Sequence, residues 1–250
     1  NTCGGYWGWN TGDAYYEIAR LDDENDQESM HALLLKTDYA TARQTVLCNV
    51  PGCTHDSAAC PAWLDSWART DLLVMPSGIY LYYTGLDDVS SWEQVEKESR
   101  DFFEQHYATN FTDEEEYIAS CRHNYELNSR PSTIERLNDD LTARETVLTF
   151  DPSLLGGGYF AYCDENALYA KEYSDANSSR ILRLDLTTGE WSALPLNLGE
   201  QVLGVNGHRF LTSRLLTDAP LPDYNDREAY NAALQNARSE LVRLDPATMQ

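Results

Sequence analysis

The sequence predicts a mainly β chain: a partial or small β-propeller of about four four-stranded blades, with helical insertions. Three observations carry this. A hairpin unit closing on Leu-Asp-x-x-Thr or a near variant recurs four times, a strand pair precedes each unit, and two segments patterned as helices interrupt the series.

The hairpin units come first. His31–Thr41 runs into Ala42–Cys48, and Ser132–Thr142 runs into Ala143–Thr149. Arg180–Thr188 leads through Gly189 into Glu190–Leu196, and Ser239–Thr248 runs to the end of the given sequence. Each pairs alternating apolar runs with an Asp or Asn turn, the period-two pattern of β-hairpins. With insertions set aside, the marker threonines 41, 142, 188 and 248 recur every roughly 42–46 residues, one four-stranded blade. A sandwich also spaces short strands by turns; the in-phase turn favours the propeller.

The preceding strand pairs lie at 72–83, turning at Ser77-Gly78, and at 159–170, turning at Asp164-Glu165-Asn166. A third lies at 202–211, where Asn206-Gly207 is a strong two-residue hairpin signal. Residues 13–21 supply the matching strand of the first unit. The blade cores then fall at about 13–48, 70–85 with 132–150, 157–196, and 201–217 with 239–250. The fourth hairpin reaches its turn at Asp245-Pro246-Ala247-Thr248 without a following apolar run. A last blade lacking its outer strand is expected, with an open edge offering self-association.

The helical inserts are expected at about 86–131 and 223–238, and a cysteine-rich loop at 48–60. Ser90-Ser91-Trp92-Glu93-Gln94 has the form of a helix start, with Glu or Gln three residues after Ser. Asp113-Glu114-Glu115-Glu116 places negative charge where a helix macrodipole favours it, on a helix running towards Leu127.

Charge narrows the functional classes. The 250 residues carry 41 acidic against 18 basic side chains, a formal net charge of −23. Such a surface repels phosphate backbones and anionic headgroups, so no nucleic-acid or membrane-surface partner is expected. No apolar run approaches the ~20 residues of a membrane span. The opening Asn1-Thr2-Cys3 lacks a Met, as a processed exported product would. The six cysteines, Cys3, Cys48, Cys53, Cys60, Cys121 and Cys163, suit disulfides in an exported protein.

The repeated Leu-Asp-x-x-Thr hairpins resemble those of TolB-like β-propellers. The stretch Leu47–Ala62, LCNVPGCTHDSAACPA, is similar to one in secreted lipoproteins of Gram-positive anaerobes, whose propeller domains have no assigned function. The resemblance implies a fold and a secreted or cell-envelope location, lipid-anchored in the full-length protein, and it implies no reaction. It departs in blade number, since such propellers have six to eight.

The sharpest chemical constellation is Cys48-x4-Cys53-x-His55-x4-Cys60. Three thiolates and an imidazole would complete a tetrahedral structural zinc site. The spacing differs from paired C-x2-C knuckles, and disulfides with an exposed His55 stand as the plainer reading. Cys3-Gly4-Gly5 has a lipid-anchor flavour, but Thr2 suits that cleavage poorly. His106 and His123 read as solvated helix-face residues, and Asp22–Asp26 as an exposed turn rather than a calcium loop. Trp7, Trp9, Trp63, Trp67 and Trp92 suit packing better than sugar stacking. The sequons at Asn110 and Asn177 carry little weight. No nucleophile elbow, His-Glu-x-x-His or phosphate loop is present, and Gly156-Gly157-Gly158 precedes a strand, which suits a link between blades.

These readings lead to a non-catalytic secreted or envelope module that binds protein or glycan, with no cofactor beyond the zinc alternative. The competing class is a glycan-cleaving hydrolase with paired carboxylates at a propeller mouth.

Overall fold

The computed structural model describes residues 8–21, 31–86, 90–105, 113–155, 159–171, 180–196, 200–206, 209–217, 220–223, 225–235 and 237–245. Several readings fall outside them: Cys3, Trp7, Asp22–Asp26, His106, both sequons, the triple glycine, Gly207 and the final turn beyond Asp245.

The described chain is mainly β, in four antiparallel sheets laid down one after another. The first contains β1 (Gly8–Asn10), β2 (Ala14–Arg20), β3 (Ala32–Asp38), β4 (Arg43–Val46) and the two-residue β5 (Trp63–Leu64). The second runs β6 (Thr70–Met75), β7 (Gly78–Tyr83), β8 (Ser132–Leu137) and β9 (Arg144–Phe150). The third runs β10 (Tyr159–Cys163), β11 (Ala167–Lys171), β12 (Arg180–Asp185) and β13 (Trp191–Pro195). The fourth contains β14 (Gln201–Asn206), β15 (Arg209–Leu216) and β16 (Arg238–Leu244).

The recurring turn residues have a visible task. Asp38 accepts hydrogen bonds from the backbone N–H of Thr41 at 2.9 Å and from its hydroxyl at 2.8 Å. Asp185 accepts from the backbone of Thr187 at 2.9 Å and Thr188 at 3.2 Å. In the second sheet Asn138 takes this place, accepting from Thr142 and Ala143. A short carboxylate or amide thus satisfies turn donors that no strand partner can reach. The chain then passes through positive φ at Ala42 (52°) and Gly189 (73°), four residues after each Asp.

The sheets stack face to face, with β6 against β1 and β2, and β10 against β14. The second sheet is apolar on both faces. Register puts Leu73, Tyr80, Tyr82 and Ile134 on one side and Leu72, Leu81 and Leu137 on the other, all buried. Tyr82 meets Phe160 of the third sheet edge-on at 4.9 Å, and Phe150 meets Trp191 at 5.1 Å. Alternate residues of the third sheet enter different cores. Leu168 and Leu184 join the cluster spanning the first three sheets, while Ala167, Tyr169 and Ile181 join Val202, Phe210 and Leu244 of the fourth.

Between β7 and β8 lie α1 (Trp92–Gln105) and α2 (Glu114–Asn128), packed on each other through Trp92–Tyr125 and Phe103–Tyr117. Asp113 caps α2 by accepting from the backbone of Glu116 at 3.0 Å. The insert leaves and re-enters at one point. Gly85 donates to the Ser132 hydroxyl at 3.2 Å, and a Cβ there would stand 2.2 Å from the Arg130 carbonyl. Only glycine permits that approach.

Two details differ from the sequence expectation. The fourth strand of the first sheet is divided into β4 and β5, giving five strands. The helix expected over 223–238 is α3 (Arg227–Gln235), because Asp223 closes a turn onto Asn225 and Arg238 opens β16. Trp92 packs within the helical hairpin, with Arg122 4.7 Å above its ring, in keeping with the packing reading. Among the described residues no helix is long and apolar enough to cross a membrane.

Candidate metal centre

The cysteine loop interrupts an outer strand. β4 pairs with Leu35–Asp38 of β3, the chain departs at Leu47, and β5 returns to pair with Ala32 and Leu33. Leu34 sits at the break: its carbonyl accepts from Leu47 and its N–H donates to Ala62, each at 2.9 Å. Two backbone bonds from one buried residue therefore hold the limbs of the loop side by side, before any side chain acts.

Two tight turns then fold the loop inward. Cys53 N–H bonds the Val50 carbonyl at 3.2 Å, with Gly52 at φ 73° supplying a conformation other residues rarely adopt. Cys60 N–H bonds the Ser57 carbonyl at 2.9 Å. His55 itself has φ 59°. Such a conformation costs about 1–3 kcal/mol in a non-glycine residue and persists where surrounding contacts dictate it. The result brings one donor atom each from Cys48, Cys53, His55 and Cys60 within 4.8 Å of one another. His55 Nδ1 lies 3.3 Å from Cys60 Sγ.

This set fits zinc. Four donors around an ion with Zn–S near 2.3 Å stand about 3.8 Å apart at the tetrahedral angle. The donors are three sulfurs and one imidazole, and Cys60 is buried while the others are half-buried. The His55 backbone N–H pointing at the Cys53 sulfur lowers that thiol below its ordinary value. Burial pushes the Cys60 thiol up to about 12, and the adjacent Cys53 and Cys48 sulfurs add to it against an N–H from Ala62. A divalent cation would convert that crowding of sulfur into coordination.

The expected disulfides are not formed among the described cysteines: Cys48, Cys53, Cys60, Cys121 and Cys163 are all free. Three sulfurs converge with an imidazole in the loop, whereas Cys121 lies in α2 and Cys163 is buried in β10. His123 stands exposed on α2, as its solvated reading anticipated.

The loop also grips the next sheet. Asn49 donates through its backbone to Leu141 and through its side chain to the Asp140 carbonyl, each at 2.9 Å. Both acceptors belong to the β8–β9 turn, where Leu141 has φ 57° and packs on the main core.

Sequence reasoning missed a second feature. Between the second sheet, the β5–β6 connection and the end of α2 lies a cavity of about 190 Å3, lined among others by Asp65, Arg69, Tyr83, Arg130, Glu135 and Arg144. Arg144 donates to the Tyr83 hydroxyl and stands 3.6 Å from Glu135. Asp65 accepts from the Trp63 indole at 3.0 Å. These residues are spread over two connections and three strands, so no local spacing announces them.

No family model and no curated protein matches this chain. Among solved structures, a prolyl endopeptidase is similar over 98% of the chain, with 12% identity and a TM-score of 0.42. The chain spans 27% of that protein's length, and at that score the likeness carries no weight for fold or activity.

Proposed function

We propose that the chain is a non-catalytic β-propeller module of a secreted or cell-envelope protein, related to the TolB-like lipoproteins, that binds a protein or glycan and is braced by structural zinc. The observation that carries it is the closed donor set of Cys48, Cys53, His55 and Cys60. Catalytic zinc sites keep a coordination position for water or substrate, whereas four protein ligands fill the tetrahedron. In this reading the ion ties the divided outer strand to the β8–β9 turn and leaves recognition to other surfaces.

The hydrolase alternative is served by Asp65 and Glu135, which line one cavity. Glu135 faces Arg144 at 3.6 Å and Asp65 accepts from an indole, so both are engaged in holding the wall. Glycan-array binding followed by product analysis on the full chain tests the choice. Saturable binding with no new reducing ends supports the module; release of reducing ends from bound glycans overturns it.

A further inference from the structure

We infer that the cavity framed by the second sheet, the β5–β6 connection and the end of α2 binds a carboxylate-bearing sugar, a uronic acid residue of an acidic glycan. This rests on the binding-module reading and names its ligand class.

Size comes first. At about 190 Å3 the cavity exceeds the ~150 Å3 space that accepts benzene in an engineered protein interior, so it has room for one six-membered ring with substituents. Charge comes second. In a chain of net charge −23, three arginines line this one cavity. Arg144 is committed to Glu135 and Tyr83. The side chains of Arg69 and Arg130 have no ion pair or hydrogen bond among the described residues, despite 41 acidic residues in the chain. Guanidinium forks left open beside a cavity match a carboxylate.

The remaining lining selects among anions. The hydroxyls of Ser66, Thr84 and Thr133 are partners a polyhydroxylated ring requires. Leu127 and Pro131 at the end of α2 give the C–H face of a ring an apolar wall. A bare anion would leave these groups unused. An amino-acid zwitterion would need a carboxylate free for its ammonium, and both carboxylates already have protein partners.

Calorimetric titration of the full chain with glucuronate, glucose, acetate, glycylglycine and inorganic phosphate is the test. Glucuronate is expected to bind best, with affinity falling as salt rises. Arg69→Gln and Arg130→Gln should each weaken it by about tenfold or more, the size of one charge-assisted hydrogen bond. Arg136→Gln serves as the control, since Arg136 bonds Ser77 and Asp139 away from the cavity and should bind as the wild type does. Thermal melting verifies that each variant folds; Arg130 is exposed, so its variant keeps the test valid should Arg69→Gln not fold. Glucose, acetate, phosphate or glycylglycine matching glucuronate overturns the assignment, as does no binding at all. Acidic glycan binding that both arginine variants retain overturns the cavity while leaving the module reading intact.

Discussion

Replacing Phe210 with alanine should loosen one end of the molecule and spare the other. Phe210 is 1% exposed and lies edge-on to Tyr169 at 4.9 Å, with Tyr162 at 6.3 Å. Truncation removes about 100 Å2 of apolar contact, ~2.5 kcal/mol at roughly 25 cal/mol per Å2. A residual void of about 60 Å3 adds roughly 1.5 kcal/mol, for a total near 4 kcal/mol, within the usual range for a buried phenylalanine. The location of the loss is the sharper point. The cluster around Phe210 shares no buried residue with the cluster joining the first three sheets. Hydrogen exchange read by mass spectrometry should show β14–β16 opening faster, with β6–β9 protected as before. Equal acceleration in both regions, or a loss below about 1 kcal/mol, would refute the division into two cores.

The metal centre predicts about one zinc ion per chain by elemental analysis, falling to near zero in a Cys48→Ser, Cys60→Ser double variant. Exchange should then rise over 47–62 and at the β8–β9 turn; unchanged zinc content would dismiss the site. Burial pushes the Asp71 carboxyl from 3.8 up to about 6. The folded state therefore holds that proton more tightly, so its contribution is best below pH 4, declines as pH rises from 4 to 6, and is flat above. Asp71→Asn should remove this decline and raise stability at pH 7 by up to about 3 kcal/mol in urea unfolding; an unaltered pH profile would contradict it. Asp113→Ala removes the α2 cap and should cost about 1 kcal/mol, read as helical signal lost by circular dichroism without loss of the β spectrum.

Hairpins were legible in the sequence because their turn chemistry is local. Asp38, Asn138 and Asp185 each satisfy donors a few residues onward, and that demand leaves a spaced signature. The two helices after Leu86 were legible for the same reason, through caps and first-turn acids. The division between β4 and β5 was not, since a two-residue strand carries no periodicity and its pairing is set by Leu34, well upstream. The four loop residues were visible as a spacing, yet the meeting of three sulfurs with an imidazole is decided by backbone turns that spacing alone does not show. The cavity was invisible because its arginines and carboxylates come from separate elements. Only Thr133 and Glu135, polar positions alternating with buried Ser132 and Ile134, left a local trace of a wetted face.

The divided strand separates covalent continuity from structural continuity. A protease that cut the exposed run Asp56–Ala59 would sever the polypeptide, yet the limbs on either side would stay bonded to Leu34 through Leu47 and Ala62. With the ion in place, Cys48 on one fragment and Cys60 on the other would share a single centre. Such a nicked molecule would migrate as one particle under native conditions and as two bands once denatured, with a chelator hastening the parting.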